Sequence, residues 1–329
     1  MMTDRDHILN AAMPRPETKG AENVRLGRLN AAGPIMLAPI AGFTDSPFRR
    51  IARRYGAGLV VTELISADGI VRMNRKTAEL LRFAPEERPI AVQIFGNRPD
   101  VIAEAAARVE ELGPDCIDLN MGCPARRVCG SGSGAALLLE PKKIYGIASE
   151  VVKRVGLPVS AKIRIGWDAG FMTYRETARA LEDAGVSFIT VHGRTKAQGY
   201  GGTADWNVIA EIASVSRVPI VGNGDIRSHE EAWQRLASSG CRAVMIGRGA
   251  LGNPWVFSGE APSLPDIAAQ IVEHLEMMLS HYGDRGLILM RKHAAHYLRR
   301  FHGARHLRSL LVTAEDVSTF CEIVRALRS

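Results

Sequence analysis

The sequence predicts a (β/α)8 barrel of the TIM type, followed by a small all-helical domain. Three observations lead to this fold class. Eight short apolar runs rich in β-branched residues recur along the chain, each closed by Gly, Pro or a polar residue. Amphipathic helical patterns lie between most of these runs, as crossovers between parallel strands require. Beyond about residue 260 the apolar spacing becomes helical only.

The candidate strands follow one another in chain order. They lie at 34–39, 58–64, 89–96, 115–120, 158–166, 187–193, 218–224 and 241–247. The helical patterns between them, such as PDVIAEAAARVEELG and SHEEAWQRLASSG, have a cap-like start and a glycine at the end. Because an eighth strand closes the sheet of such a barrel, one barrel domain is predicted over residues 26–260.

The two ends of the chain differ from its middle. Residues 1–25 are polar and contain proline, so they are predicted to be a disordered extension. Residues 261–329 are predicted to form the helical domain, with IAAQIVEHLEMMLSHYG and LILMRKHAAHYLRRFHG as its clearest helices.

Composition narrows the class of protein further. The 42 Lys and Arg against 35 Asp and Glu give a net charge of +7, which permits a polyanionic partner without requiring one. No apolar run reaches the roughly 20 residues that cross a bilayer, and no signal-peptide core opens the sequence. We therefore expect a cytoplasmic protein without a membrane partner. We also expect a monomer without a bound metal. Its five cysteines should stay reduced.

Polar side chains end most of the predicted strands, at the carboxyl face where barrels of this type carry their chemistry. A single strand-end Gln, Asn or His often satisfies only loop backbone, but the convergence of so many favours a binding site. The strand-end residues are Gln93, Asn120, Lys162, Arg164, His192, Arg194, Asn223, Asp225, Gly247 and Arg248.

Two glycine-rich loops follow the last two strands, GNGDI at 222–226 and GRGALGNP at 247–254. Barrels commonly bind a phosphate at these two places through backbone N–H groups, and Arg248 can add a charged contact. A phosphate there suits FMN, because Lys162 can stabilise negative charge on a reduced isoalloxazine and Gln93 can hydrogen-bond its edge. A sugar-phosphate substrate would use the same loops, so these residues alone leave both ligands open.

Seven segments, in order from about residue 34 to 257, carry a family resemblance. They are MLAPIAGFTDSPFRR, AVQIFG, DLNMGCPARRV, AKIRIGW, TVHGRTKAQGY, VPIVGNGDI and VMIGRGALGNPWVF. They resemble the tRNA-dihydrouridine synthase family, closest to its DusB branch, and the helical tail resembles that family's RNA-binding domain with far less motif content. The resemblance implies an FMN enzyme that uses NADPH to reduce the 5,6 double bond of particular uridines in tRNA.

By motif match, the resemblance assigns roles at the barrel mouth. Cys123 would be the general acid, which protonates carbon 5 of uracil after hydride reaches carbon 6. The cofactor contacts would be Pro39, Ile40 and Ala41 lining the flavin, Gln93, Lys162 and His192 at its ring, and Asn223, Gly224, Asp225, Gly247 and Arg248 at its phosphate. The substrate contacts would be Asn120, Arg126, Arg127, Arg164, Arg194 and Lys196.

The segment DLNMGCPARRVCG contains two cysteines. A thiol with an ordinary pKa of about 8.5 is mostly protonated at neutral pH, so Cys123 can donate a proton without first being charged. Arg126 and Arg127 would lower that pKa if they faced the thiol, and we expect them to point toward RNA phosphate instead. Cys129 departs from the family pattern and is interpreted as a spare loop thiol.

The tail segment MRKHAAHYLRRFHGARHLR concentrates positive charge, as expected of a surface that meets a phosphate backbone. Arg291, Arg299 and Arg300 are its candidate contacts to tRNA or another structured RNA. Two alternatives stay open. The first is an FMN barrel oxidoreductase that acts on a free small molecule, and the basic tail argues against it because such a substrate does not need an RNA-binding surface. The second is a non-catalytic RNA-binding protein, and the presence of Cys123 and Lys162 argues against it because RNA binding alone does not need them.

Overall fold

The computed structural model describes residues 22–301 and 304–328 of the chain. Most of the predicted disordered extension, residues 1–21, therefore lies outside the described residues. The chain divides into two compact units, Ala21–Gly259 and a unit that contains Glu260–Ser329.

The first unit contains all eight predicted strands in a parallel sheet. Its described residues add a two-stranded hairpin and one further short strand, which makes eleven strands. The strands are β1 (Val24–Leu26), β2 (Leu29–Ala31), β3 (Ile35–Leu37), β4 (Val60–Val61), β5 (Ile65–Ser66), β6 (Ile90–Phe95), β7 (Cys116–Met121), β8 (Val159–Arg164), β9 (Phe188–His192), β10 (Ile220–Asn223) and β11 (Ala243–Ile246). Neighbours follow the order β3-β11-β10-β9-β8-β7-β6-β4, and β5 adds a short second pairing to β6. This confirms the predicted (β/α)8 architecture.

The sheet curves until its first and last strands meet. The Leu37 N–H donates to the Leu59 carbonyl at 2.9 Å, and the Gly58 N–H donates to the Ile35 carbonyl at 2.7 Å. Only glycine fits at position 58, because a Cβ there would lie 1.9 Å from the carbonyl oxygen of Gly33. The barrel therefore closes where two glycine-containing backbones approach each other.

The disordered extension is predicted to reach residue 25, but the first strand begins at Val24. Val24 and Arg25 belong to β1, which pairs antiparallel with β2 in a hairpin. Leu26, Leu29 and Ala31 are buried in the same apolar cluster as the barrel strands. The alternation of apolar and polar residues over this short segment specifies a half-buried strand, which its overall polarity concealed.

The helices of the first unit lie between the strands. They are α1 (Ser46–Arg54), α2 (Ala67–Arg72), α3 (Arg75–Leu80), α4 (Pro99–Glu110), α5 (Arg126–Gly130), α6 (Pro141–Arg154), α7 (Tyr174–Ala184), α8 (Trp206–Val215) and α9 (His229–Ser239). Five of them begin with a side-chain cap, such as Ser228, whose hydroxyl accepts from the Glu231 N–H. The short α5 is the one that follows the predicted catalytic loop.

The second unit is helical, as predicted. It contains α10 (Leu264–Tyr282), α11 (Arg285–Tyr297), α12 (Arg305–Thr313) and α13 (Val317–Arg325). A capping box between Ser263 and Asp266 begins α10. Among the described residues, no helix of either unit is long and apolar enough to span a membrane.

Candidate active site

The strand register places the polar side chains in layers inside the barrel mouth. Gln93 on β6 lies opposite Asp118 on β7, which lies opposite Ser160 on β8. One layer nearer the carboxyl ends, Asn120 lies opposite Lys162. Because alternate residues of a strand share a face, residues 118 and 120 both point into the barrel.

A continuous set of hydrogen bonds connects these layers to the predicted general acid. Gln93 Nε2 donates to Asp118 Oδ2 at 2.7 Å, and Asn120 Nδ2 donates to Gln93 Oε1 at 2.8 Å. Asn120 Oδ1 in turn accepts from the Cys123 N–H at 3.0 Å. Gln93 and Asn120 are both buried, and their amides hold the loop that follows β7.

The Cys123 thiol is suited to donate a proton. Its pKa is raised from its ordinary value by burial, and this effect exceeds the lowering by the Ala125 N–H and by the Arg164 and Lys162 cations. The thiol therefore carries its proton at neutral pH. Arg126 is exposed at the start of α5.

Cys129 has a structural contact in this loop. Its Sγ donates to the Cys123 carbonyl oxygen at 3.3 Å, and the same carbonyl accepts from the Ala135 N–H at 3.0 Å. Arg127, like Arg126, is exposed on α5. The second thiol therefore contacts the backbone of the first, a relation that the interpretation as a spare loop thiol did not include.

Lys162 and Asn223 form a pair across the mouth. Lys162 Nζ donates to Asn223 Oδ1 at 2.8 Å, while Asn223 Nδ2 donates to the Met245 carbonyl at 2.7 Å. Burial, followed by the nearby Arg164 cation, lowers the pKa of Lys162 to about 7. The Asn223 side chain thus orients the lysine, and its contact with a phosphate stays a prediction.

His192 is neutral in this environment. Burial lowers its pKa far below the usual range, and the Lys162, Arg164 and Arg194 cations lower it further. Its Nε2 lies 3.4 Å from Arg194 Nη1. An uncharged imidazole beside the predicted flavin position can accept or donate a single hydrogen bond.

Arg194 does not lie at the surface, so its prediction as an RNA contact is wrong. It is 1% exposed. Its Nη2 contacts both Asp225 carboxylate oxygens, at 2.8 and 2.7 Å, and the guanidinium also donates to the Gly201 and Gly202 carbonyls. A buried charge needs such partners, and these fold the β9–α8 loop over the end of β10.

Arg164 also donates its hydrogen bonds to backbone carbonyls of loops. The side chain is 2% exposed. Its Nε donates to the Gly122 carbonyl at 2.9 Å, and Nη1 donates to those of Thr195 and Gly199 at 2.8 Å each. It therefore ties the Cys123 loop to the β9–α8 loop, and it cannot reach the backbone of an RNA at the protein surface.

The ends of β10 and β11 form an anion cradle. The N–H groups of Gly224, Asp225, Gly247 and Arg248 donate no hydrogen bond within the described part of the chain. A Cβ on Gly247 would have only ordinary van der Waals contacts, at 3.7 Å, with Ala38 and Ile40, so no neighbouring group presses on this backbone. Backbone donors arranged in this way bind phosphate groups.

Side chains complete the rim of this cradle. Arg248 is exposed, lies 5.1 Å from the Tyr200 ring centroid and contacts Asp225 at 3.3 Å. Burial opposes ionisation of Asp225, but hydrogen bonds from Arg194 and the Ala204 N–H lower its pKa overall. The Asp225 carboxylate is therefore an anion paired with arginines, and only its backbone N–H, held at φ 54°, can serve a phosphate.

The remaining predicted residues lie around the mouth. Pro39 and Ile40 are half-buried and Ala41 is exposed, in the turn after β3 where Ile40 N donates to Thr44 Oγ1 at 3.1 Å. Lys196 Nζ lies 4.1 Å from the Trp167 ring centroid. Tyr200, 59% exposed, was missed by the sequence analysis, although an aromatic residue between glycines in a strand-end loop is a signal for it.

The second unit contains its own basic pocket, of about 400 Å³. It is lined by Ala295, His296, Arg299, Arg305, Arg308, Ser309 and Val312. Arg299, Arg305 and Arg308 form no ion pair within the described residues. Arg291 differs, because its Nη2 donates to the Ala314 carbonyl at 2.6 Å. The Arg300 side chain lies outside the described residues.

Comparison with known proteins agrees with this geometry. "tRNA-dihydrouridine synthase B" of Pseudomonas aeruginosa is 40% identical over 314 residues, covering 92% of this chain and 95% of that protein. A "probable tRNA-dihydrouridine synthase" of Rhodobacter capsulatus is 39% identical over 326 residues, covering 92% and 97%. Two experimental structures share the fold at a TM-score of 0.57, with 11% and 12% identity. They are a 2-naphthoyl-CoA reductase complex, covering 72% of this chain and 51% of that one, and a histamine dehydrogenase from Rhizobium sp. 4-9, covering 80% and 51%.

The family match extends over almost the whole described chain. The family model described as "Dihydrouridine synthase (Dus)" matches residues 36–329, which include the barrel strands from β3 onward and the helical unit. The matched range also contains Cys123, Lys162 and both loops of the anion cradle. The chain therefore belongs to the dihydrouridine synthase family.

Proposed function

We propose that this enzyme reduces the 5,6 double bond of uridine in tRNA to dihydrouridine, with FMN as cofactor, NADPH as reductant and Cys123 as proton donor. Its relatives at about 40% identity are named for this activity. The observation that carries the proposal is a protonated thiol in the same barrel mouth as Lys162 and an anion cradle.

The residues fit FMN at two points. Its phosphate would be held by the N–H groups at the ends of β10 and β11, which donate no hydrogen bond within the described residues, and by Arg248 beside them. Lys162, whose pKa of about 7 leaves it able to gain a proton when negative charge is near, would lie at its ring. Reduced by NADPH, FMN would supply hydride for carbon 6 of uracil.

The chain's own groups perform the second half of the reaction. After hydride addition, carbon 5 needs a proton, and the Cys123 Sγ–H delivers it. Burial keeps this thiol protonated and so able to donate. Arg164 Nη2 forms no hydrogen bond within the described residues and lies beside the thiol, so it is available to a uracil carbonyl oxygen. Arg164 would then contact the base rather than the RNA backbone.

The RNA backbone would meet exposed cations. On the barrel unit these are Arg126 and Arg127 on α5, and the partly exposed Lys196. On the helical unit they are the pocket arginines at 299, 305 and 308. Unpaired cations release counterions when they contact phosphates, which drives binding to RNA.

The test uses the purified full-length protein. We expect it to carry bound FMN and, with NADPH, to convert uridine to dihydrouridine in unmodified tRNA, as detected by nucleoside mass spectrometry. Protein without flavin, unable to bind added FMN, would refute the cofactor. A holoenzyme that oxidises NADPH with a free unsaturated carbonyl compound but not with tRNA would indicate the small-molecule oxidoreductase instead.

A further inference from the structure

A buried carboxylate beneath the barrel mouth has no role in the chemistry above. Asp118, 4% exposed, lies in the middle of β7. Its Oδ1 accepts from Ser160 Oγ at 2.6 Å and its Oδ2 from Gln93 Nε2 at 2.7 Å. Through Gln93 and Asn120 it is connected to the backbone N–H of Cys123.

The Cys123 end of this connection determines how both amides are oriented. A backbone N–H can only donate, so the Asn120 group facing it has to be Oδ1. The Gly122 N–H also points at this oxygen, at 3.4 Å. Asn120 Nδ2 then faces Gln93 and requires its oxygen, which turns Gln93 Nε2 toward position 118.

Position 118 therefore has to accept a hydrogen bond. Burial raises the pKa of Asp118 overall, although the Gln93 and Ser160 hydrogen bonds and the Lys162 cation lower it. In either protonation state the carboxyl group keeps an oxygen that can accept from Gln93 Nε2. Residue 118 and the Cys123 N–H together allow only one orientation of the two amides. Either amide, if it turned over, would leave two buried hydrogen bonds unmade.

We propose that Asp118 is a positioning residue, which holds Cys123 at the reacting carbon through the oriented amides of Gln93 and Asn120. The proposal rests on the proposed role of Cys123 as proton donor. Asp118 itself touches neither substrate nor cofactor. It acts because proton transfer needs the donor held in place, and a displacement of about 1 Å can cost on the order of 10²-fold in rate.

Three variants separate this role from simple structural support. Asp118→Ala removes the acceptor, Asp118→Asn keeps an acceptor without the charge, and Ser160→Ala removes the other hydrogen bond of the same carboxylate. Asp118→Ser, whose side chain is too short to reach Gln93, replaces Asp118→Ala if that variant is not recovered folded. In each holoenzyme, two quantities are measured: the rate of uridine reduction at saturating tRNA, and the rate of Cys123 alkylation by iodoacetamide, read from the labelled peptide by mass spectrometry.

We expect Asp118→Ala to slow uridine reduction on the order of 10²-fold, with tRNA affinity unchanged. Cys123 alkylation should accelerate on the order of tenfold, the equivalent of losing one buried hydrogen bond. Asp118→Asn should restore most of both values, and Ser160→Ala should be impaired much less than Asp118→Ala, because Gln93 keeps its acceptor.

Two results would overturn the proposal. One is an Asp118→Ala enzyme with unchanged uridine reduction and alkylation. The other is a Ser160→Ala enzyme impaired to the same degree, since the carboxylate would then be a structural group. If Cys123→Ala itself retained uridine reduction, the proposed proton donor would be wrong, whereas the alkylation rates would still report whether Asp118 positions the loop.

Discussion

At the residue scale, burial sets the protonation state of three titratable groups in the mouth. It keeps the Cys123 thiol protonated, the His192 imidazole neutral and the Lys162 ammonium poised near neutrality. For all three, desolvation is the largest effect on the pKa, and neighbouring charges are secondary. At pH 7 the barrel mouth can therefore contain both a protonated Cys123 thiol and a Lys162 side chain that gains or loses its proton easily.

The depressed pKa of Lys162 predicts a pH-dependent stability. Between its folded value of about 7 and the ordinary lysine value of 10.5, the unfolded chain binds the proton and the folded chain does not. Raising the pH through this window should stabilise the flavin-free protein relative to Lys162→Met, by up to about 1.4 kcal/mol per pH unit. Urea unfolding of both proteins at several pH values from 6 to about 10 measures the difference. A constant difference across that range would mean that Lys162 titrates normally.

At the element scale, the strands were predictable and the loop contacts were not. Strands such as β10 and β11 are apolar runs between Gly, Pro and polar residues, and burial on both faces explains that pattern. Arg164 ends strand β8 and Arg194 follows β9, where a charge next to a loop is ordinarily exposed. Their partners are backbone carbonyls of other loops, whose positions depend on the folded barrel.

The anion cradle at the ends of β10 and β11 predicts which substitution weakens FMN binding. Arg248→Ala should raise the FMN dissociation constant about 10- to 100-fold, because a charge-assisted hydrogen bond contributes about 1.5–3 kcal/mol. Arg227→Ala is the matched control, since Arg227 is an exposed arginine in the loop after β10. Titration of the flavin-free proteins with FMN measures both values. Equal affinities in the two variants would assign the cradle to backbone groups alone.

At the scale of the whole molecule, the two units contain different groups of the proposed site. The barrel unit contains the thiol, the lysine and the anion cradle, and the helical unit contains a pocket with three arginines that form no ion pair within the described residues. The sequence analysis located the basic segment but could not choose among its arginines. Arg291 lies in the same segment as Arg299, yet its guanidinium is used to bind the Ala314 carbonyl.

This difference predicts which substitutions affect RNA binding. Arg299→Glu with Arg305→Glu should weaken tRNA binding and reduce the dependence of its affinity on salt, by a slope of about one for each phosphate that the variant no longer neutralises. Flavin reduction by NADPH should not change. Arg291→Ala, the control, should instead lower the free energy of unfolding while the salt slope stays the same. Unchanged tRNA binding in the double variant would assign the RNA-binding surface to the barrel unit.

In the proposed reaction Cys123 supplies the proton, so the Cys123→Ala variant should separate the two half-reactions. Stopped-flow absorbance follows flavin reduction by NADPH, then flavin reoxidation by tRNA. We predict normal reduction in this variant and reoxidation slowed about 10²–10⁴-fold, with Cys129→Ala close to the unsubstituted enzyme in both steps. Reoxidation at the normal rate in Cys123→Ala, or its loss in Cys129→Ala alone, would contradict this role of Cys123.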